Sequence, residues 1–378
     1  MGARAQGGKP RATRGDDTIG YLRFIAPSSV SFRAFALFAL FALPPVHAQE
    51  HRQTAAPAAR APYAQRADVR TFAADVAHST GIPRRQIERW LAAAKFQPRI
   101  VAAMDRPLLL PPKWFEYAPP LLAPDRVSGG VAFWRANAEA LARAESEYGV
   151  PAEIIIAILG IETIYGRSTG SYRVIDALAT LAFDYPRRAS YFRGELREYL
   201  LLAHEQGWSP LVPTGSFAGA MGIPQFMPGS YRDYAVDFDG DGRIDLWHDS
   251  ADVIGSVANY LARHDWLSGQ PALLPARIAP DSLDAALRRL DGGISERRAL
   301  SAWASDGVEA EDAPAELAAD PVGLLLLEEA PENGESRASY WIACPNFYVI
   351  TRYNKSRLYA AAVIALAKAV LQSHDALR

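Results

Sequence analysis

The sequence predicts a mainly α-helical protein with a small β component. Apolar residues recur at helical spacing in several long segments, and glycine or proline stands at many of their ends. Of the 378 residues, 49% are apolar and 22% are charged, a balance that allows the chain to bury a large core. The formal net charge of −2 gives no overall electrostatic preference for nucleic acid, and we expect no nucleic-acid partner.

The first 48 residues have the features of a cleavable export signal. Arg23 and Arg33 precede an apolar run of ten residues, 34–43, which is too short to span a bilayer as a helix. Two prolines end the run, and 46–48 has the small–x–small form of a cleavage site. A short buried helix is the alternative, but residues 49–66 are rich in Ala, Pro, Arg and Gln and predict a flexible linker. We therefore expect a periplasmic protein, peripheral to the cell wall.

Cysteine and histidine usage excludes several kinds of site. Cys344 is the only cysteine, so an internal disulfide and a cysteine-ligated metal site are both ruled out. Of the seven histidines, only His47 and His51 have His-x-x-x-His spacing, and they flank the predicted signal cleavage site; the histidines after it include no such pair, which argues against a zinc hydrolase. No cysteine stands directly after the apolar run of the signal, where it could be lipidated, so we expect no stable membrane anchor.

Helical segments account for most of the chain after residue 67. Gly149 ends one of them, Pro151 begins the next, and Gly166 ends that one, as helix-terminus preferences predict. The segments with helical periodicity are 69–96 with a break at 80–83, 131–148, 151–165, 175–183, 189–205, 252–264 and 358–377.

The remaining segments predict turns and a few strands. Six prolines between 107 and 124 predict extended or turn structure there. Residues 271–340 show the weakest periodicity, and we expect strands near 272–278 and 322–328. The aromatic and β-branched run 346–352 reads as a strand or an extended segment.

Glu162 is the most informative residue of the sequence. Ile155, Ile158 and Leu159 precede it at i−7, i−4 and i−3, on its own helical face. Burial against hydrocarbon raises the pKa of a carboxyl group. Each pKa unit corresponds to about 1.4 kcal/mol of difference in free energy between the protonated and the charged form. A glutamate that stays protonated near neutrality is what a general acid for glycosidic cleavage requires. The alternative is a helix-end glutamate paired with an arginine such as Arg167, and this segment alone leaves both open.

A loop of small residues, Ser216–Pro228, follows within sixty residues of the glutamate. Glycine and alanine let a backbone approach a ligand closely. Ser216 could hydrogen-bond Glu162, and Gln225 could hold an N-acetyl group or a hydroxyl. A tight packing loop between helices is the alternative. Tyr117, among the prolines, either packs in a core or lines a sugar groove.

An acidic segment matches the first nine positions of an EF-hand calcium loop. Its carboxylates at positions 1, 3, 5 and 9 and its carbonyl at position 7 belong to Asp237, Asp239, Asp241, Asp245 and Arg243. Position 12 is His248 instead of glutamate, so Asp249 or Asp252 closes the site only if the loop is longer than usual. The alternative is a solvated acidic turn that caps the helix beginning near Asp252.

Three segments in order resemble the lytic murein transglycosylase B family, whose core is lysozyme-like. They are Gly160–Gly166, Ser216–Pro228 and Asn346–Ser356, and the resemblance covers the chain from about Val69 onward. It implies a catalytic region at 67–378 with a helical N-terminal part. Within that region it implies a lysozyme-like core at about 130–270, a variable insert at about 271–340, and a C-terminal groove strand and helix at 341–378.

The resemblance also implies a reaction and a set of site residues. A monomer would cleave peptidoglycan glycan strands between N-acetylmuramic acid and N-acetylglucosamine, leaving 1,6-anhydromuramic ends. Glu162 would be the sole acid/base, and catalysis would need no cofactor. The residues implied to line the groove are Tyr117, Ser216, Gln225, Tyr260, Tyr353, Asn354 and Tyr359, with Arg187 and Arg188 near the peptide. The resemblance favours a structural Ca²⁺ in an elongated loop, with Asp252 as a further ligand.

Two other functions stay open at the level of the sequence. A muramidase would add water and leave reducing ends, and a peptidoglycan-binding scaffold would have no turnover. Most glycosidases use two carboxylates, and Glu153, Glu195 and Glu205 all lie near Glu162 in the sequence. The exclusion of water as the nucleophile is therefore implied by the resemblance alone.

Overall fold

The computed structural model describes residues 61–105 and 111–377. The predicted signal peptide and most of the predicted linker lie outside these residues. The fold is mainly α-helical with a smaller antiparallel β component, which confirms the predicted class. Within the described residues, no helix combines the length and apolarity needed to cross a bilayer.

Three short helices form the N-terminal part. They are α1 (Ala67–Thr80), α2 (Arg84–Ala92) and α3 (Pro98–Met104). The linker prediction extended too far, because Tyr63 and Arg66 are packed on the helical core. Tyr63 is 5% exposed and donates a hydrogen bond to Asp184 Oδ2 (2.7 Å), and Arg66 forms a salt bridge with Asp184 Oδ1 (2.7 Å). An aromatic ring and an ion pair fix a segment whose composition alone favoured a flexible chain.

Four helices lead to the glutamate. They are α4 (Trp114–Tyr117), α5 (Pro124–Ala136), α6 (Ala138–Tyr148) and α7 (Ala152–Thr163). The proline-rich segment is partly helical, since prolines are tolerated in the first turns of α5 and of a 3₁₀ turn at Pro119–Leu121. The helix predicted over 131–148 is two helices, because Asn137 leaves helical geometry and its side chain donates to the Phe133 carbonyl (2.8 Å).

The helices after the glutamate surround its end of the core. They are α8 (Val174–Asp184), α9 (Ala189–Glu205), α10 (Pro228–Tyr234) and α11 (Ser250–Ala262), with strands β1 (Tyr172–Arg173) and β2 (Thr214–Gly215). The two strands pair antiparallel and hold the start of the Ser216–Pro228 loop.

A seven-stranded antiparallel sheet is built from residues in the predicted insert. The elements are β3 (Leu273–Ile278), α12 (Leu283–Leu287), β4 (Leu290–Asp291), β5 (Ile294–Ser295), β6 (Arg298–Ala299), α13 (Leu300–Ser305), β7 (Val308–Ala310), β8 (Pro321–Glu332) and β9 (Glu335–Ala343). The strand order is β4-β5-β8-β9-β3-β7, and β6 also pairs with β8. Strands β3 and β8 occur where the sequence predicted them.

The strand prediction for 346–352 is wrong, because this segment is helix α14 (Pro345–Tyr353), followed by α15 (Arg357–Asp375). Its β-branched and aromatic residues favour strands only weakly. Phe347 and Ile350 lie three apart and are fully buried, which is helical spacing. Pro345 suits a first helical turn. Packing therefore decides the conformation here.

Helix α7 lies at the centre of the core. Ile155, Ile156, Ile158 and Leu159 have no exposed surface, and the helix packs against α5 and α15. Because α15 crosses near the end of α7, Glu162 meets the first turns of a helix that begins almost two hundred residues later.

Candidate active site

Glu162 stands in the last turn of α7, is half-buried, and accepts a hydrogen bond from a buried tyrosine. The Tyr359 hydroxyl donates to Glu162 Oε1 at 2.9 Å, and Tyr359 is only 1% exposed. Arg167, the alternative partner, is exposed, and its Nε donates to the Ile164 carbonyl (3.3 Å). This geometry argues for a positioned carboxyl group over a helix-end salt bridge.

The chain turns abruptly directly after the glutamate. Ile164, Tyr165 and Gly166 have φ of 54°, 57° and 88°, a left-handed conformation that is unfavourable for a β-branched residue. Thr163 stabilises the turn: its Oγ1 accepts from the Gly166 N–H (3.0 Å) and donates to the Ile223 carbonyl (2.9 Å). Thr163 thus ties the glutamate's helix to the small-residue loop.

Arg126 holds the end of α7 from behind, and sequence reasoning missed it. It is 5% exposed, its guanidinium donates to the Gly160 carbonyl, and its own carbonyl accepts from the Tyr165 hydroxyl (2.8 Å). A cation at a helix C-terminus is stabilised by the helix dipole. The available signal was the pair Gly129-Gly130, where an added Cβ would stand 2.9 or 2.7 Å from the Tyr165 side chain.

The Ser216–Pro228 loop folds into two successive tight turns. The Ser216 N–H donates to the Ala220 carbonyl (2.9 Å), and Met221 and Phe226 exchange backbone hydrogen bonds of 2.8 and 3.1 Å. Ser216 Oγ accepts from the Ala220 N–H (3.0 Å), so this bond leaves the hydroxyl hydrogen unused. A loop this close-packed offers a rigid backbone surface to a ligand.

Gln225 is held by the backbone of the loop, and its contact with a sugar stays a prediction. It is 6% exposed with φ 56°, and its Nε2 donates to the carbonyls of Thr169 (3.1 Å) and Gly222 (2.8 Å). Because both amide hydrogens bind the backbone, Gln225 stabilises the loop. Only its Oε1 is left by these bonds to contact a sugar.

Tyr260 and Tyr353 join the loop to α11 and α14. The Tyr353 hydroxyl donates to the Pro224 carbonyl (2.5 Å), and the Tyr260 hydroxyl donates to the Arg352 carbonyl (2.8 Å). Their ring centroids are 4.9 Å apart, and the Phe226 ring packs 5.6 Å from Tyr260. With both hydroxyls bound to backbone, these side chains contribute aromatic surface.

Tyr117 and Asn354 are buried polar residues of the same region. Tyr117 is 7% exposed, and burial together with the nearby charge of Glu162 raises its pKa. Asn354 is 3% exposed, and neither atom of its amide has a hydrogen-bond partner among the described residues. A buried unsatisfied polar group costs about 1–3 kcal/mol, so a ligand that pairs with this amide recovers that free energy.

Arg187 and Arg188 lie in the exposed 3₁₀ turn between α8 and α9. The Arg188 guanidinium lies over the rings of Tyr191 (4.6 Å) and Phe192 (5.2 Å). These contacts belong to the first turn of α9, and a role of the two arginines at a peptide stays a prediction.

The acidic loop brings three carboxylates together. Oxygens of Asp237, Asp239 and Asp252 lie within 4.8 Å of one another. Asp252 is 2% exposed and accepts from the N–H groups of Phe238 (2.7 Å) and Asp245 (2.8 Å), which folds the loop back onto α11. Burial raises the pKa of Asp252, an effect that a bound cation would oppose. Three clustered carboxylates fit calcium, which prefers oxygen ligands.

The other predicted ligands are not part of this group. Asp245 accepts from the Trp247 N–H (2.8 Å), and Asp241 accepts from the N–H of Arg243 (2.8 Å). Asp249 caps α11 by accepting from the Ala251 N–H (2.7 Å). The helix-capping function is thus carried by Asp249, and Asp252 stands where the loop would close.

Two comparisons with known protein sequences show what this chain is similar to. A family model described as "Transglycosylase SLT domain" matches residues 64–368. The membrane-bound lytic murein transglycosylase B of Escherichia coli (strain K12) is 41% identical over 324 residues, which is 82% of this chain and 84% of that protein.

Solved structures of lytic transglycosylases are also similar to this chain. The catenated lytic transglycosylase SltB1 from Pseudomonas aeruginosa has a TM-score of 0.77 and 45% identity, covering 82% of this chain and 99% of that chain. The E. coli lytic transglycosylase Slt35 in complex with calcium has a TM-score of 0.71 and 41% identity, covering 83% and 94%. SltB3 from P. aeruginosa in complex with NAG-NAM-pentapeptide has a TM-score of 0.68 and 32% identity, covering 80% and 79%. This chain belongs to the lytic murein transglycosylase B family.

Proposed function

We propose that this lytic murein transglycosylase cleaves the bond between N-acetylmuramic acid and N-acetylglucosamine with Glu162 as its only acid and base. The observation that supports this most directly is the Glu162 carboxyl, oriented by the Tyr359 hydroxyl at 2.9 Å. It lies in the last turn of a helix that is apolar from Ile154 to Ile161. The Asn354 amide, which has no hydrogen-bond partner among the described residues, belongs to the same proposed groove.

In the proposed reaction, protonated Glu162 gives its hydrogen to the glycosidic oxygen as the bond to C1 breaks. The N-acetyl carbonyl of the muramic residue stabilises the positive charge that develops at C1. The Glu162 carboxylate then takes the hydrogen of the C6 hydroxyl, whose oxygen bonds to C1. Glu162 ends protonated, and the product is a 1,6-anhydromuramic end. Proton transfer by a placed group contributes roughly 10²–10⁴-fold, and the rest comes from positioning.

The positions of the other nearby glutamates support a single-carboxylate mechanism. Glu153 precedes Glu162 by nine residues in α7, which is about 13 Å along the helix axis. Glu195 accepts from the Gly229 N–H (2.9 Å), and Glu205 forms a salt bridge with Arg232 (3.0 Å). The two carboxylates of a glycosidase are about 5–9.5 Å apart, so Glu153 is too far along the helix. Glu195 and Glu205 are held by the other partners just named.

The groove proposal assigns different roles to the surrounding residues. The Asn354 amide and the Ser216 hydroxyl hydrogen are the polar groups that we propose for sugar hydrogen bonds. Tyr117, Tyr260 and Tyr353 provide apolar ring surface, which suits pyranose faces. Gln225 supports the loop. We retain Arg187 and Arg188 as proposed contacts to the peptide, on the resemblance alone.

We also propose a structural calcium ion held by Asp237, Asp239 and Asp252. Calcium would offset two of the three negative charges of these carboxylates and stabilise the loop. The Ile223 N–H donates to the Leu246 carbonyl (2.7 Å), so the acidic loop supports the Ser216–Pro228 loop directly. Asp241, Asp245 and the Arg243 carbonyl stay proposed ligands from the EF-hand pattern. No cofactor takes part in the proposed proton transfers.

The test is the mass of the products released from purified sacculi. Anhydro ends are lighter by one water than the reducing ends that a muramidase leaves. Release of reducing ends would favour the muramidase, and a wild-type protein that binds sacculi without releasing muropeptides would favour the scaffold. For the cell we propose a periplasmic enzyme, on the basis of the export signal predicted over the first 48 residues, and we retain the monomer as a proposal.

A further inference from the structure

A basic cavity of about 580 Å³ opens between α14 and the turn that follows β5. Four of the residues that line it are cationic, and they come from both sides of the opening. The lining residues used below are His264, Arg297, Tyr348, Arg352, Lys355 and Arg357. None of these belongs to the proposed catalytic site, and the residues that line the cavity include no aspartate or glutamate.

Three of the four cations lack a counter-charge. Arg297, Arg352 and Lys355 are exposed and form no salt bridge within the described part of the chain. Arg357 differs, because it pairs with Glu328 (3.1 Å) and donates to the Leu326 carbonyl (2.8 Å). Three uncompensated positive charges around one concave surface, on a chain of net charge −2, attract an anion.

The cavity wall under Arg297 is fixed. The Arg297 guanidinium lies over the Tyr348 ring, 4.8 Å from its centroid, and a cation–π contact of this kind restrains the side chain. The Tyr348 hydroxyl is buried against Gly323, where an added Cβ would stand 2.2 Å from it. The aromatic ring therefore cannot shift inward, and the guanidinium is held facing the cavity.

The cavity shares a wall with the proposed glycan groove. The Tyr260 ring stacks on His264 with centroids 4.2 Å apart, and the Tyr260 hydroxyl donates to the Arg352 carbonyl (2.8 Å). Tyr353 and Asn354 lie between Arg352 and Lys355 in the chain. The cavity therefore lies directly beside residues that we propose for the groove.

We propose that this cavity binds the carboxylates of an acidic stem peptide attached to the muramic acid in the groove. The proposal rests on the proposed function, because it requires a glycan strand in the groove. Guanidinium groups bind carboxylates with two parallel hydrogen bonds, and a cavity of 300–1,000 Å³ is typical of ligand sites. A concave site next to the groove suits a tethered peptide better than a lipid surface, which needs a broad, flat basic face.

The test is the double variant Arg297→Gln/Lys355→Gln, assayed on two substrates. One is peptidoglycan with its stem peptides intact, and the other is the same glycan stripped of peptides by an amidase. We expect kcat/KM to fall by about five- to tenfold on the first substrate, in keeping with the loss of two partly exposed charge contacts, and to stay unchanged on the second.

The matched control is Arg99→Gln/Lys368→Gln, which removes the same two charges at exposed positions that do not line the cavity. We expect it to leave both rates unchanged, and both double variants to keep the wild-type melting temperature.

Three results would overturn the proposal. The first is that the cavity variant has wild-type rates on both substrates. The second is that its kcat/KM falls equally on both. The third is that it loses binding to vesicles of anionic phospholipid while the rates stay unchanged. The proposed function fails separately, if the wild type releases anhydro products from neither substrate.

Discussion

The hydrogen bond between Tyr359 and Glu162 gives the sharpest single test of the site. Tyr359→Phe removes one hydroxyl oxygen and leaves the ring, which is 1% exposed, in its packing. The lost contact is the 2.9 Å bond that orients Glu162 Oε1. We expect a folded enzyme whose carboxyl group can rotate away from the glycosidic oxygen.

The expected loss of rate follows from the strength of this hydrogen bond. A hydrogen bond to a charged group contributes about 1.5–3 kcal/mol, and 1.4 kcal/mol corresponds to a factor of ten in rate. If the bond persists in the transition state, the variant should lose about 10- to 100-fold in kcat. KM should change little, because the hydroxyl is bonded to Glu162 and its loss removes no sugar contact that we propose.

The matched control is Tyr199→Phe. The Tyr199 hydroxyl is buried in α9 and donates to the Pro210 carbonyl (2.8 Å), so this variant also loses one buried tyrosine hydrogen bond. We expect both variants to lose about 1–3 kcal/mol of unfolding free energy at most, and only Tyr359→Phe to lose activity. Initial rates of muropeptide release well below the melting temperature provide the assay. Equal kcat for Tyr359→Phe and the wild type would refute the positioning role of Tyr359.

Three further predictions concern stability. Calcium at about 100 times its Kd should add about 2.7 kcal/mol to the unfolding free energy, so the melting temperature should fall when calcium is chelated. Asp252→Ala should abolish this response. A wild-type melting curve that does not change with calcium would contradict the metal site. Gly222→Ala should lower the free energy of unfolding by about 1–3 kcal/mol more than Gly207→Ala does. Both glycines have φ near 67°, but only at Gly222 would an added Cβ meet backbone, 2.4 Å from the Leu246 carbonyl oxygen. Equal denaturant midpoints for the two variants would contradict this. Burial raises the pKa of Glu153, so at pH values above the ordinary pKa of glutamate its ionisation destabilises the folded state. Glu153→Gln should therefore raise the melting temperature at neutral pH, and the gain should disappear in acid. A gain that does not depend on pH would contradict the burial effect.

Local sequence patterns predicted the elements that carry the site better than the contacts within it. The helix that presents Glu162 follows from Pro151, Gly166 and an apolar run between them, all of which act within one segment. The partner of Glu162 is 197 residues away, and no local pattern relates Tyr359 to it. Only the family resemblance placed the two together.

Two differences show where local reasoning ends. The β-branched composition of 346–352 predicts a strand, but the segment is helix α14, because packing Phe347 and Ile350 against the core makes their helical spacing decisive. Arg126 was missed because an arginine in an amphipathic helix normally faces water, whereas here two glycines bring α5 close enough to α7 to bury it.

The most direct measurement compares the products of the wild type with those of Glu162→Gln on the same sacculi, by mass spectrometry. The glutamine keeps the size of the side chain and its contact with Tyr359, but it can neither donate nor accept the transferred proton. We predict that the wild type releases 1,6-anhydromuramic ends and that the variant, with a wild-type melting temperature, is slower by at least about 100-fold. Anhydro ends released by Glu162→Gln at the wild-type rate would contradict the assignment of Glu162 as the acid and base.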